Sequence, residues 1–345
     1  LDQGGRFSRN EFFGNDRSGP DLTVDGNVET LFFEGDIGAI QAGLTNEWSS
    51  FDLPISFGLM PLFYQNGIWV DDAFTGAAFA IPAKNSPMLD ISNMDFSFFA
   101  GFDKVTTAAL KDADGTLADH AGRVYGAATF IETRNGYLEM GYGFVDDIRT
   151  SQTLSGFDHS SLTAAWTKRY GHILSNSVRG FWNFGQDPVN GLPQTADGFA
   201  LLMENSLITS KPLTFVPYGN FFLGVDRPQP LARGNDGLLK NTGISFETDA
   251  LTGFPKLDSS AQDAFGGAIG MEYLFDLSRQ VIVEAATVQP FGGRSDTILG
   301  DQCALSARYQ HNLDDRWLVR SDIIRGWLDN SEDLFGIRLE LRRKF

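Results

Sequence analysis

Leu334-Phe335-Gly336-Ile337-Arg338-Leu339-Glu340-Leu341-Arg342-Arg343-Lys344-Phe345 are the last residues of the chain. Phe335, Ile337, Leu339, Leu341 and Phe345 fall on one parity. Gly336, Arg338, Glu340, Arg342 and Lys344 fall on the other, and only Arg343 breaks the pattern. Period two predicts a strand with one apolar and one charged face. A soluble strand packed on a core has this form. A membrane barrel requires it of every strand, with lipid on one side and a wet lumen on the other.

The rest of the chain repeats the pattern. Met94, Phe96, Phe98, Ala100 and Phe102 oppose Asp95, Ser97, Phe99 and Gly101. Val124, Gly126, Ala128 and Phe130 oppose Arg123, Tyr125, Ala127 and Thr129. Asn135-Gly136 then joins this segment to Tyr137–Phe144, a strong hairpin signal. Similar alternation recurs through Leu162–Arg169, Ser177–Phe184, Phe199–Ser206, Thr214–Leu223, Ile269–Tyr273, Val281–Ala285, Cys303–Gln310 and Trp317–Ile323. Gly4–Phe13 is a further strand candidate. Val28–Leu44 reads as extended, and Pro61–Asp72 as a loop. Gly76, Ala78 and Ala80 form a small-residue face suited to a subunit contact or a flat patch against lipid.

Composition narrows the class. The chain has 345 residues, with 30 Phe and 38 Gly and only 21% charged residues, which suits a surface that meets lipid. Its net charge of -17 makes nucleic acid a poor partner. Cys303 stands alone, so no intrachain disulfide forms, and no haem-attachment motif is present. No apolar run has the length of a membrane helix, so a membrane-spanning reading requires a closed barrel. Leu1 in place of Met suggests a processed or trimmed N terminus.

Connection lengths point the same way. With the C terminus in the periplasm, the periplasmic turns are short, and nearly all the other connections are long. Asp226–Ala264 is the longest. A soluble sandwich gives no reason for such asymmetry; a transmembrane barrel does. The expected fold is therefore an all-β transmembrane antiparallel β-barrel of about 16 strands (range 14–18), with short periplasmic turns and long extracellular loops. Residues 1–345 form one domain in this reading. The 226–264 loop is either extracellular or folded into the lumen. Tyr137, Tyr170, Tyr273, Phe275, Tyr309 and Trp317 lie near the short-turn end, and Phe102, Phe144, Trp182, Phe184 and Trp327 near the other. They read as two aromatic girdles, or as the ordinary enrichment of strands in aromatics.

Alternation, loop asymmetry and the terminal Phe345 together resemble bacterial outer-membrane β-barrel porins. That resemblance implies a Gram-negative outer membrane, with lipid and lipopolysaccharide around the wall. It also implies that the barrel assembly machinery reads Phe345 as its signal. Gly58–Ala77, with Gly58-Leu59-Met60-Pro61-Leu62-Phe63 and Val70-Asp71-Asp72-Ala73-Phe74, locally resembles alginate-export and porin-like barrels. Leu59 and Met60 stand where that pattern has Arg and Gln, so its lumen arginine is missing and no substrate is carried over.

The expected function is an aqueous channel for small polar or charged solutes, with selectivity from a mixed-charge wall and an inserted loop. Pattern places Asp95, Arg123, Glu139, Arg169, Arg179, Glu204, Glu272, Glu284, Arg308, Arg320, Asp322, Arg338, Glu340, Arg342 and Lys344 on the lumen side. They either orient solutes or pair with each other in a wet interior. The alternative is a barrel scaffold or sheath that houses or anchors a partner protein, such as an electron carrier or surface lipoprotein. A homotrimer is a further expectation from the porin resemblance. An enzyme is disfavoured: none of His120, His159, His172 and His311 neighbours a nucleophile-like Ser, since adjacent strand residues point apart. No cofactor is implied. Loop acids allow a bound calcium, but no spacing matches a calcium loop.

Overall fold

The computed structural model describes residues 12–13, 16–17, 28, 30–112, 116–118, 120–150, 154–171, 173–209, 211–234, 237–247, 254–291 and 300–343. Among the described residues two short strands, β1 (Phe12–Phe13) and β2 (Asp16–Arg17), pair only with each other. The remaining strands form one large antiparallel sheet. Its strands are β3 (Leu31–Asp36), β4 (Pro54–Tyr64), β5 (Val70–Ser86), β6 (Ile91–Asp103), β7 (Gly122–Thr133), β8 (Gly136–Asp147) and β9 (His159–Tyr170). They continue with β10 (Leu174–Phe184), β11 (Asp197–Leu207), β12 (Thr214–Arg227), β13 (Ala232–Arg233) and β14 (Ala264–Leu274). The last are β15 (Arg279–Pro290), β16 (Gln302–Asn312), β17 (Trp317–Leu328) and β18 (Leu334–Arg343). Neighbours in sequence are neighbours in space, except that β13 leaves the path to pair in parallel with β5. The sheet has 16 strands with β13 included.

The sheet is not a closed barrel, which corrects the expected fold class. Its path runs from β18 to β3, and no ladder joins these two among the described residues. The segment expected to close the barrel, Gly4–Phe13, is described only at Phe12 and Phe13, which pair with Arg17 and Asp16 instead. The parity of the path also forbids direct antiparallel closure. β3 and β18 both run from the long-connection end toward the short-turn end, so they cannot pair antiparallel to each other.

Two further expectations change. The extended reading of Val28–Leu44 gives way to β3 followed by a helix, α1 (Ile37–Thr45). Asp36 is the cause: one carboxylate oxygen caps the helix at the Ala39 N–H (2.6 Å) and the other accepts from the Leu53 N–H (2.7 Å). Pro61–Asp72 is mostly hairpin rather than loop. β4 continues to Tyr64 because β3 stops pairing at Leu59, so Pro61 sits where only the β5 ladder remains.

One face of the sheet is apolar and exposed along its whole length, with Leu162, Trp182, Phe221, Ile269, Leu305, Ile323 and Ile337 among its side chains. Water does not tolerate so large an apolar surface, and a bilayer does. Aromatics cluster at both ends of this face, as in Trp182 with Phe184 (4.7 Å) and Phe215 with Tyr273 (4.7 Å).

The opposite face is packed rather than wet at its long-connection end. Residues 65–69, 105–110, 228–234, 237–247 and 254–263 fold against it. Trp69 is fully buried and donates from Nε1 to Ser161 Oγ at 3.1 Å. Thr163 Oγ1 donates to Gln65 Oε1 at 2.8 Å. The Leu231 N–H donates to the Trp69 carbonyl at 2.9 Å, and the Arg233 N–H to the Thr106 carbonyl at 2.7 Å. Glycine permits this close approach at two places. A Cβ on Gly141 would lie 2.5 Å from the Trp69 ring, and one on Gly336 would lie 2.5 Å from Pro255. Gly76 and Ala78 also face inward beside buried Phe74, so this small-residue face is neither a subunit contact nor a lipid patch.

Candidate functional site: the inward charged wall

The inserted segment, described over residues 228–234, 237–247 and 254–263, reaches both ends of the sheet. Near one end its β13 pairs with β5 at Val70 and Asp71. At the other its Phe254 ring lies 4.7 Å from the Arg338 guanidinium on β18. Between these points it is tied to the strands by charge.

Asp322 is the centre of that tie. Arg308, Asp322 and Arg338 stand directly opposite one another on β16, β17 and β18. Arg320 lies two residues from Asp322 on the same face. Asp322 accepts from Arg308 Nε (2.7 Å), Arg320 Nε (2.9 Å) and Arg338 Nε (2.9 Å), and its side chain has no exposed surface. Three guanidiniums around one carboxylate leave excess positive charge. Glu247 of the inserted segment supplies the second acid, 2.5 Å from Arg308 Nη2 and 2.7 Å from Arg320 Nη2. Burial of such ions is sustainable only when each is paired and hydrogen-bonded.

Glu284 makes a second tie. Its carboxylate accepts from the Ile244 N–H (2.9 Å) and Ser245 N–H (2.8 Å), and from Tyr218 Oη (2.5 Å). The inserted segment carries its own buried charges. Burial lowers the Arg233 guanidinium to about 10, against the opposing influence of Asp71. Burial also lowers Lys256 to about 8, with Asp258 acting the other way.

A third grouping lies below the inserted segments, toward the short-turn end. Glu139, Arg169, Arg179, Glu204 and Glu272 line one cavity of about 460 Å3. Arg179 is buried, and its Nε donates to Glu204 Oε2 at 2.8 Å. Asp95 lines a smaller neighbouring cavity with Tyr64 and Trp69.

The remaining residues singled out by pattern scatter. Arg123 is exposed and lies on the outward face, opposite Asp146 across the β7–β8 ladder. Its neighbour Val124 takes the inward position, fully buried, because the interior at that height is filled by apolar side chains rather than water. Glu340 and Arg342 pair with each other. Lys344 and Phe345 lie outside the described residues. Among the described residues no three His, Cys, Asp or Glu side chains gather as a metal site. Glu247, Phe254 and Trp69 went unnoticed in the sequence. They belong to irregular segments without periodicity; the unusual length of Asp226–Ala264 hints at Glu247 and Phe254, and the apolar character of Pro61–Asp72 at Trp69.

The expected diffusion channel is overturned by the same observations. At its long-connection end the inward face is covered by the chain's own segments, and among the described residues no ladder closes the wall around it.

No family model matches the chain, and no curated protein is significantly similar to it in sequence. Solved structures do share its architecture. The outer membrane protein OpdK of Pseudomonas aeruginosa superposes with a TM-score of 0.54 at 12% identity, over 86% of this chain and 77% of that one. OccK11 (OpdR) of the same organism gives 0.55 at 11% identity, over 86% and 78%. OccAB4 of Acinetobacter baumannii gives 0.52 at 11% identity, over 84% and 71%. At such identities the likeness is one of fold: this chain shares the antiparallel β architecture of these proteins, and among its described residues the sheet is left open.

Proposed function

We propose that this chain is an outer-membrane scaffold that anchors a partner protein along the open side of its sheet. The observation that carries this reading is that, among the described residues, no strand pairs with the outer edge of β3 or of β18, in a sheet whose outer face is apolar. An unpaired strand edge in hydrocarbon leaves N–H and C=O groups without partners, at a cost of several kcal/mol each in order of magnitude. Both edges run the same way, so one strand antiparallel to both suits the gap. A partner that donates an extended segment meets that requirement by adding its own ladder.

In this reading the short turns and the C terminus face the periplasm, and the apolar face meets lipid and lipopolysaccharide. Phe345 is the assembly signal. Arg308, Arg320, Asp322, Arg338 and Glu284 hold the inserted segment in place rather than select solutes.

Site-specific photo-cross-linking tests the proposal. A photoreactive residue at Leu339 on the free β18 edge is expected to capture a second polypeptide in cells. One at Leu201, in the middle of the outward face, is expected to capture none. Equal yields at the two positions, or none at Leu339, would remove the basis for a docked strand.

A further inference from the structure

The geometry points to a ligand site in the cavity of about 460 Å3, for a small polyhydroxylated molecule carrying one ammonium group, the chemistry of an amino sugar. This inference does not rest on the partner-anchoring reading, because the cavity lies on strands β7 to β14, away from both free edges.

Size comes first. The volume falls within the range of small-molecule pockets, about 300–1,000 Å3. Charge comes second. The lining holds Glu139, Glu204 and Glu272 against Arg169 and Arg179, an excess of one negative charge. Glu204 is engaged by Arg179. Glu139 and Glu272 make no hydrogen bond or ion pair among the described residues, so two carboxylates are available for an ammonium group. Charge-assisted hydrogen bonds of this kind are the strong ones.

Arg179 supplies the independent observation. It is 2% exposed and lines the cavity, yet its Nη1 has no hydrogen-bond partner. A buried guanidinium N–H without an acceptor is costly. A small turn of the guanidinium toward the cavity would bring this N–H to a ligand hydroxyl oxygen while the ammonium group sits at the free acids. The rest of the lining suits a sugar. The Asn66 amide offers donors and an acceptor, the Thr167 and Tyr218 hydroxyl oxygens, whose protons go to Ser177 and Glu284, remain acceptors, and Phe130 and Tyr137 stack at 5.6 Å to give an apolar wall that also favours a cation.

Access is from the short-turn end. A second cavity, of about 570 Å3, shares Tyr137 and Arg169 with the first and is otherwise lined by turn residues such as Arg134 and Asn135. At the opposite end Asn66, in the β4–β5 turn, forms part of the ceiling. The site is thus a blind pocket.

Isothermal titration of the detergent-purified chain in mildly acidic buffer, where the amine is protonated, tests the assignment. Glucosamine is expected to bind saturably. N-acetylglucosamine, whose nitrogen carries no charge, is expected to bind at least about tenfold more weakly, and glucuronate not at all. A Glu139→Gln, Glu272→Gln double variant with an unchanged circular dichroism spectrum is expected to lose about tenfold in glucosamine affinity. The ligand series on the unaltered chain stands by itself if that variant misfolds. Equal binding of glucosamine and N-acetylglucosamine, preferred binding of glucuronate, or no saturable glucosamine binding would overturn the assignment.

Discussion

Arg320 on β17 donates from Nη2 to Glu247 of the inserted segment at 2.7 Å, while its Nε donates to Asp322 at 2.9 Å. One guanidinium thus bridges a strand acid and a loop acid. The two acids are unequal: Asp322 accepts from three arginines and is sealed from solvent, whereas the Glu247 side chain is 21% exposed.

Asp322→Asn leaves three guanidiniums facing one another with a single remaining acid. Removing one partner of a buried ion pair costs about 3–5 kcal/mol. Denaturant unfolding in detergent is expected to show a loss of that order. Glu247→Gln, at a partly exposed carboxylate, is expected to cost less. The reverse order would mean that the inserted segment, not the strand acid, is the keystone of the cluster.

Gly141 and Gly180 separate close approach from mere composition. Gly141→Ala drives a methyl group into the buried Trp69 ring, and overpacking of this kind costs about 1–3 kcal/mol. Gly180→Ala has its nearest neighbour at 3.9 Å and is expected to be tolerated. Thermal unfolding of the two variants side by side checks the difference. Similar midpoints would argue against a packed interior.

Lys256 gives the inserted segment a pH dependence. Burial lowers it from 10.5 to about 8, so between these values the unfolded chain holds a proton that the folded chain does not. Stability therefore rises with pH across that window, and the penalty is fully present below about pH 8. Lys256→Met is expected to flatten this rise and to raise stability near neutral pH. Unfolding midpoints measured from pH 7 to 10 would show it; an unchanged slope in the variant would assign the rise to other groups.

Cys303 reports on the outward face. It is exposed, on the same parity as Leu305 and Tyr309. In a bilayer a charged, water-soluble thiol reagent is expected to leave it unmodified, while a membrane-permeant maleimide labels it. Rapid modification by the charged reagent would place that face in water.

Strand by strand, much of the sheet was legible. Period-two alternation put Arg179, Glu204, Glu272, Arg308, Asp322 and Arg338 on one face and Leu201, Ile269, Leu305 and Ile337 on the other, because a strand's two faces meet different media. Arg123 departs from the pattern for an instructive reason: a charged parity faces inward only where the interior is wet, and at that height the interior is apolar. Closure was not legible at all. It depends on pairing between segments far apart in sequence, and the Gly4–Phe13 pattern offered too few alternating residues to set a register. The interior segments were hidden likewise, since Trp69, Leu231 and Glu247 acquire their roles only through contacts across the fold.

Planar-bilayer conductance of the purified chain tests the central claim most directly. A filled interior behind an open-edged wall predicts a bilayer that stays electrically quiet, with no stable unitary steps at any applied voltage. Reproducible ohmic steps with a fixed unitary conductance would contradict the scaffold reading.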